Sequence, residues 1–259
     1  MPTPETNLRP RTAVVTGASS GLGVAIATAL GGLGYDVAIG ARRSERLDET
    51  AVRVENAGGR AFAHRLDVAD GRSIETFFDA LERHWRPADV IVNNAGANTP
   101  GPLQTLPADV IEHEVATNLV GPMLVSRRAL RPLLAARQRG DLVFVSSDAV
   151  RNPRPRQSVY TATKAGLEAL ARALGMELEG SGIRCTVVRP GPALSEYAAN
   201  WPREQIVGLL EYWNRFGLQR HGGVMPAEAV ARAVVLAVTT PPGVHLDTLE
   251  VQPEAPMRD

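Results

Sequence analysis

Short apolar runs alternate with longer amphipathic segments along this chain. Thr12–Thr16 (TAVVT) predicts a buried strand, followed by a Gly-rich turn and an Ala-rich helix over about 22–33. Asp36–Gly40 (DVAIG) predicts a second strand. Ser44 is placed to cap a helix that runs to about Asn56, where Ala57-Gly58-Gly59 stops it. Ala61–Leu66 predicts a third strand, and 70–84 a helix with Ile74, Phe77, Phe78 and Leu81 on one face. Strand-like runs recur at 90–92, 141–146, 184–188 and 246–251. Helical patterns lie between them at about 107–136, 158–178 and 226–238.

Strands alternating with helices predict βαβ units and a parallel sheet. The expected fold is α/β: a single-domain, Rossmann-like, doubly wound parallel sheet of about seven strands with helices on both faces. One catalytic domain covers 1–259, with tails at about 1–10 and 252–259. The pattern breaks only at about 151–158 and 192–225. Both breaks follow strand C-termini, the edge where open α/β sheets bind ligands.

The composition narrows the function classes. Arg plus Lys and Asp plus Glu both number 28, so the formal net charge is zero. That balance speaks against a nucleic-acid partner, which favours a basic excess. The start is polar and no apolar run approaches the ~20 residues that span a bilayer, so no signal peptide, no membrane and a cytoplasmic location are expected. The single Cys185 sits in a strand-like run and reads as a buried thiol. All basic residues but one are Arg; the exception is Lys164. Arg reads as the default cation of this chain, and Lys164 as a place where a compact point charge is required.

The turn after the first strand reads Thr16-Gly17-Ala18-Ser19-Ser20-Gly21-Leu22-Gly23. It follows a strand and opens a helix, the context in which a Gly pattern brings backbone N–H groups to a pyrophosphate. A tight turn without a ligand is the plain alternative. The second strand ends Gly40-Ala41-Arg42-Arg43, with no acid for a ribose 2′-hydroxyl. Two adjacent Arg there suit a 2′-phosphate, so NADP(H) is the expected cofactor.

Tyr160 and Lys164 stand four residues apart on a predicted helix, hence on one face. An ammonium beside a phenol favours phenolate and makes the phenol usable in proton transfer near neutral pH. With these residues in view, the chain resembles the short-chain dehydrogenase/reductase family. The family's TGxxxGxG is matched by Thr16–Gly23, NNAG by Asn93-Asn94-Ala95-Gly96, the helical Asn by Asn118, and the catalytic Ser by Ser147, 13 residues before Tyr160. YxxxK is matched by Tyr160–Lys164 and the later PG by Pro190-Gly191, with Ser195 where Thr is frequent.

The resemblance implies an oxidoreductase acting on CH–OH/C=O. Tyr160 would be the general acid in reduction and the base in oxidation. Lys164 would lower the Tyr160 pKa and contact the cofactor ribose, Ser147 would hold the substrate oxygen, and Asn118 would support a proton-relay water. The cofactor contacts implied are Gly17, Ser19, Ser20, Gly21, Leu22, Gly23, Arg42, Arg43, Asp67, Val68, Asn94, Ala95, Gly96, Tyr160, Lys164, Pro190, Gly191 and Ser195. No metal site is expected. The family commonly forms dimers or tetramers through the helices at about 107–136 and 158–178, so a homodimer or homotetramer is expected. Ser146 competes with Ser147 for the serine role, and Asn93 and Asn94 could be braces. The family often has Gly soon after the catalytic Ser; here the run is Asp148-Ala149-Val150-Arg151.

The segment 197–216 holds Tyr197, Trp201, Tyr212, Trp213 and Phe216. This stripe is either a lid over a bulky, apolar ketone or alcohol, or local helix packing. Arg151, Arg154 and Arg156 either meet an anionic group, as on a carrier-linked acyl chain, or lie in a solvated loop. The leading expectation is an NADP(H)-dependent carbonyl reductase or secondary-alcohol dehydrogenase on a small-molecule substrate. The alternatives are a β-ketoacyl-thioester reductase and a non-catalytic NADP(H)-binding sensor or scaffold.

Overall fold

In the computed structural model the described residues are 10–195, 201, 203–218 and 221–257. Seven strands form one sheet: β1 (Thr12–Thr16), β2 (Asp36–Ala41), β3 (Arg60–Arg65), β4 (Val90–Asn93), β5 (Gly140–Val145), β6 (Ile183–Pro190) and β7 (Thr248–Val251). Their spatial order is β3-β2-β1-β4-β5-β6-β7. Every neighbouring pair is parallel. The order reverses between β1 and β4, so their C-terminal ends open the crevice where such sheets take ligands.

The helices are α1 (Gly21–Gly31), α2 (Glu45–Asn56), α3 (Gly71–His84), α4 (Ala108–Val115), α5 (Gly121–Ala135), α6 (Ser158–Glu177), α7 (Arg203–Arg215) and α8 (Ala227–Thr239). Alternation along β1 explains how they divide between two faces. Ala13 and Val15 pack with Ile26 and Leu30 of α1, Leu47 of α2 and Val234 of α8. Val14 points the other way, among Phe77 of α3, Val125 of α5 and Leu167 of α6. Both faces of the sheet are thus covered, as continuous apolar strands require. Cys185 lies buried in β6, and burial pushes its thiol up to about 12.

Three local expectations are corrected. The long helix expected over about 107–136 is interrupted by a π turn at Ala116–Val120. Asn118 sits in that turn, and such bulges re-aim side chains that a regular helix would place elsewhere. Ser44 does not cap α2; its own backbone is helical (φ −63°, ψ −40°) and its side chain makes no capping bond. By contrast Asp70 caps α3, accepting from the Arg72 amide at 2.9 Å. Within the segment 192–225, where the regular pattern was expected to break, 203–215 is the helix α7.

Phe77 is fully buried and forms edge contacts with Phe62 and Phe78. Phe77→Ala is expected to lower the unfolding free energy by about 3–5 kcal/mol, measured by urea denaturation.

Candidate active site

The phosphate end of the crevice is built from β1, α1 and β4. Gly17 (φ +69°) and Gly21 (φ +53°) take left-handed backbone at the two ends of the turn. A Cβ on Gly17 would stand 2.8 Å from the Ala95 Cα, and one on Gly23 would stand 2.8 Å from the Asn94 Nδ2. The turn therefore closes only with glycine at both positions. Asn94 explains the crowding: its amide donates to the Thr16 carbonyl at 2.9 Å. The Thr16 hydroxyl in turn accepts from the Asn94 and Ala95 amides at 3.1 and 3.0 Å. Thr16 and Asn94 stitch the ends of β1 and β4 at the point where the strand order reverses. Asn93 braces the structure too, donating to the Ser126 hydroxyl at 3.3 Å.

Ser20, at the N-cap of α1, makes no side-chain bond to the helix, and the first turn carries no acidic residue. The leading N–H groups of α1, around Leu22, retain the dipole end that favours a phosphate. Arg43 folds over this turn, donating to Ser19 at 3.1 Å and Ser20 at 3.0 Å. Arg42 extends the other way, 3.3 Å from the Nε2 of His113 on α4. Asp67 follows β3, and its carboxylate accepts from the Ala69 amide at 3.0 Å. Val68 beside it is buried against Gly121. The glycine cradle and the uncapped helix end fit the pyrophosphate of a nicotinamide dinucleotide.

The other end is built from α6, β5 and the π turn. Tyr160 and Lys164 are both buried on α6. The Lys164 Nζ lies 5.8 Å from the Tyr160 ring centroid and donates to the Val145 carbonyl at 2.8 Å. Burial lowers the Lys164 pKa from its ordinary value to about 8. Asn118 is fully buried. Its amide exchanges bonds with both backbone groups of Ala97, at 2.7 and 2.8 Å, and donates to Thr163 at 3.1 Å. It thus ties the loop after β4 to α6. A Cβ on Gly96 would lie 3.7 Å from Lys164 Nζ and 3.5 Å from Asn118 Oδ1, so Gly96 runs beside both.

The two serines divide cleanly. The Ser146 hydroxyl donates to the buried Glu168 of α6 at 2.7 Å. Ser147 instead caps the short 3₁₀ turn Asp148–Val150, accepting from the Ala149 amide at 3.2 Å. Pro190 ends β6, and Gly191 continues it with an amide bond to the Val251 carbonyl at 2.8 Å. Ser195 is exposed at the edge of the described chain. Tyr197 lies outside the described residues.

Residues 11–206 match the short chain dehydrogenase family. The chain belongs to that family. It is 32% identical over 244 residues to sulfoacetaldehyde reductase 2 of Chromohalobacter salexigens, a match covering 93% of each chain. It is 31% identical over 255 residues to the glycine betaine reductase ATRR of Emericella nidulans. That match takes in 97% of this chain but 19% of the fungal one, so the chain spans about a fifth of that relative's length. Among solved structures, the alcohol dehydrogenase of the archaeon Thermococcus sibiricus, complexed with 5-hydroxy-NADP, superposes with a TM-score of 0.80 at 27% identity. The superposition covers 97% of this chain and 100% of that one.

Short chain dehydrogenases act on CH–OH and C=O groups, and the chain is an oxidoreductase of that kind. No helix among the described residues is long and apolar enough to cross a membrane. Sequence reasoning passed over His113, Glu168 and the pairing of Asp148 with Arg154. Only Glu168 left a signal, since it stands four residues beyond Lys164 on the same helical face.

The depressed Lys164 pKa has a stability consequence. The unfolded chain holds this proton up to about pH 10.5, while the folded protein releases it near pH 8. Between those values the unfolded state binds more protons, so stability rises with pH. Urea midpoints of the cofactor-free protein are expected to rise from pH 8 towards 10.5. In Lys164→Met that part of the rise is expected to vanish, and the variant to be the more stable of the two at pH 7.

Proposed function

We propose that this chain is an NADP(H)-dependent carbonyl reductase or secondary-alcohol dehydrogenase acting on a bulky, mostly apolar small molecule. The observation that carries the reading is the buried Tyr160–Lys164 pair on α6, facing the end of β5 that bears Ser147. Ser147 holds the carbonyl oxygen with its hydroxyl. Tyr160 gives that oxygen its proton in reduction and takes it back in oxidation. Lys164, cationic at neutral pH and beside the ring, stabilises the phenolate left behind. Asn118 keeps the loop after β4 against α6. NADPH, when bound, supplies the hydride.

The preference for NADP(H) rests on Arg42 and Arg43, which stand where a 2′-hydroxyl-binding acid would otherwise be expected. His113 adds a nitrogen to the same corner. The bulky substrate class rests on the segment around α7. Trp201 donates to the Asn98 carbonyl at 3.3 Å, and Trp213 to the Pro155 carbonyl at 3.0 Å. The two indoles bring this aromatic segment onto both loops that flank the Tyr160 site.

The loop arginines lend no support to an anionic thioester substrate. Arg151 pairs with Glu250 at 3.0 Å, Arg154 with Asp148 at 2.6 Å, and Arg156 lies over the Tyr212 ring at 5.0 Å.

Screening cyclohexanone, 1-decalone and a steroid ketone for NADPH oxidation tests the reading, with rates expected to favour the larger rings. Tyr160→Phe is expected to abolish turnover while still binding NADPH, followed by the change in nicotinamide fluorescence. Arg42→Ala is expected to raise the KM for NADPH by about tenfold or more, the scale of a lost charge-assisted bond. The KM for NADH should barely move; equal effects on the two cofactors would sink the NADP(H) assignment.

A further inference from the structure

We propose that Arg154 is a positioning residue for Ser147. It neutralises the carboxylate beside that hydroxyl, and α7 completes the arrangement by laying Trp213 on the guanidinium. The inference rests on the reading of Ser147 as the group that holds the substrate oxygen.

Asp148 directly follows Ser147 and is 5% exposed. The Ser147 hydroxyl, which has one proton to give, donates it to Asp148 Oδ1 in a long bond of 3.4 Å. An unpaired carboxylate there would act against the reaction in two ways. It would compete with the substrate oxygen for the Ser147 proton. Its charge would also oppose the negative charge that builds on that oxygen during reduction, in a site where water screens little.

Arg154 counters both effects. Its Nη1 donates to Asp148 Oδ1 at 2.8 Å and its Nη2 to Oδ2 at 2.6 Å. Such a two-pronged pair fixes the plane of the carboxylate, takes one lone pair of each oxygen and offsets its charge, which weakens its hold on the Ser147 proton. The Asp148 side chain is then held, and the turn that Ser147 caps is held with it.

The clamp is not self-contained. The Arg154 guanidinium carbon lies 5.5 Å from the Trp213 ring centroid, and the Trp213 N–H is anchored on Pro155. An indole face over a guanidinium attracts the cation and excludes water from its pairing. The Arg154 side chain is 14% exposed. Trp213 belongs to α7, so seating of that helix and readiness of Ser147 are linked through one arginine.

The test uses the full chain with NADPH and the fastest ketone of the series above. Arg154→Met is expected to lose about tenfold or more in kcat, with the KM for NADPH within about twofold of wild type, as for an interaction needed mainly in the transition state. Asp148→Asn combined with Arg154→Met removes both charges and is expected to recover most of that loss. Trp213→Leu should fall in the same direction as Arg154→Met. Trp213→Phe, which keeps a ring but no N–H, should stay close to wild type.

A kcat for Arg154→Met near the wild-type value overturns the proposal. So does a double variant no better than Arg154→Met, since that marks a merely structural pair. If Arg154→Met does not fold, the two Trp213 variants decide, and equal kcat in both overturns the proposal. Activity retained in Tyr160→Phe, or no ketone turnover by the wild type, overturns the underlying reading instead.

Discussion

The position of Tyr160 and Lys164 depends on one buried carboxylate. Glu168 lies on α6 one turn beyond Lys164 and is 2% exposed. Ser146 of the β5 end donates to its Oε1, and Arg189 of β6 donates to both oxygens at 2.9 and 2.7 Å. An unpaired charge at that depth would be strongly unfavourable, so the helix has one depth and one rotation against the sheet at which Glu168 is satisfied. The same setting places Tyr160 and Lys164, two turns and one turn earlier, towards the crevice. It also fixes Ser146, and the chain leaves β5 with Ser147 next. Arg189 carries the constraint to β7 through Glu250 at 2.9 Å.

The opposite wall follows another logic. There Thr16 and Asn94 join β1 to β4 with neutral hydrogen bonds, and the glycines of the turn make room for them. Neutral stitching leaves the positive end of α1 without a competing carboxylate. Structural charge in this protein is carried by Arg: Arg60 on Asp36, Arg184 on Asp141, Arg128 on Glu75, Asp79 and Glu82. A planar fork suits such carboxylates. It does not suit the pocket of Lys164, where a compact ammonium is buried on the Val145 carbonyl beside the Tyr160 ring.

Much of the fold was legible because period and punctuation agree. The apolar runs of β1, β2 and β5 lie within a residue or two of their expected places, and Gly58, at φ +108°, ends α2 as the Ala57-Gly58-Gly59 signal implies. The Gly turn and the Tyr160–Lys164 spacing were legible for the same reason, since both are local. The π turn at Ala116–Val120 was not. Its residues have ordinary helical character, and the extra residue is accommodated by the bonds Asn118 makes to Ala97 and Thr163, which lie far off in the chain. The different partners of Ser146 and Ser147 were not legible either, because Ser146 is held by Glu168, 22 residues later. The Asp148-Ala149-Val150 run looked like a departure from the family. Arg154 turns it into a held loop.

The sequence by itself determined the periodicities, the glycine positions that allow the tight turn, and the placement of a phenol and an ammonium on one helical face. These are properties of neighbouring residues, set by backbone sterics and helical pitch. Only the tertiary structure decided which serine bonds Glu168 and which caps the turn at 148–150, what Asn94 and Asn118 hold, and where each arginine goes. Those outcomes depend on which charges and amides meet across the sheet once water is excluded. Burial makes each unpaired group costly enough to select one arrangement, and the meeting groups come from strands and helices that no local pattern connects.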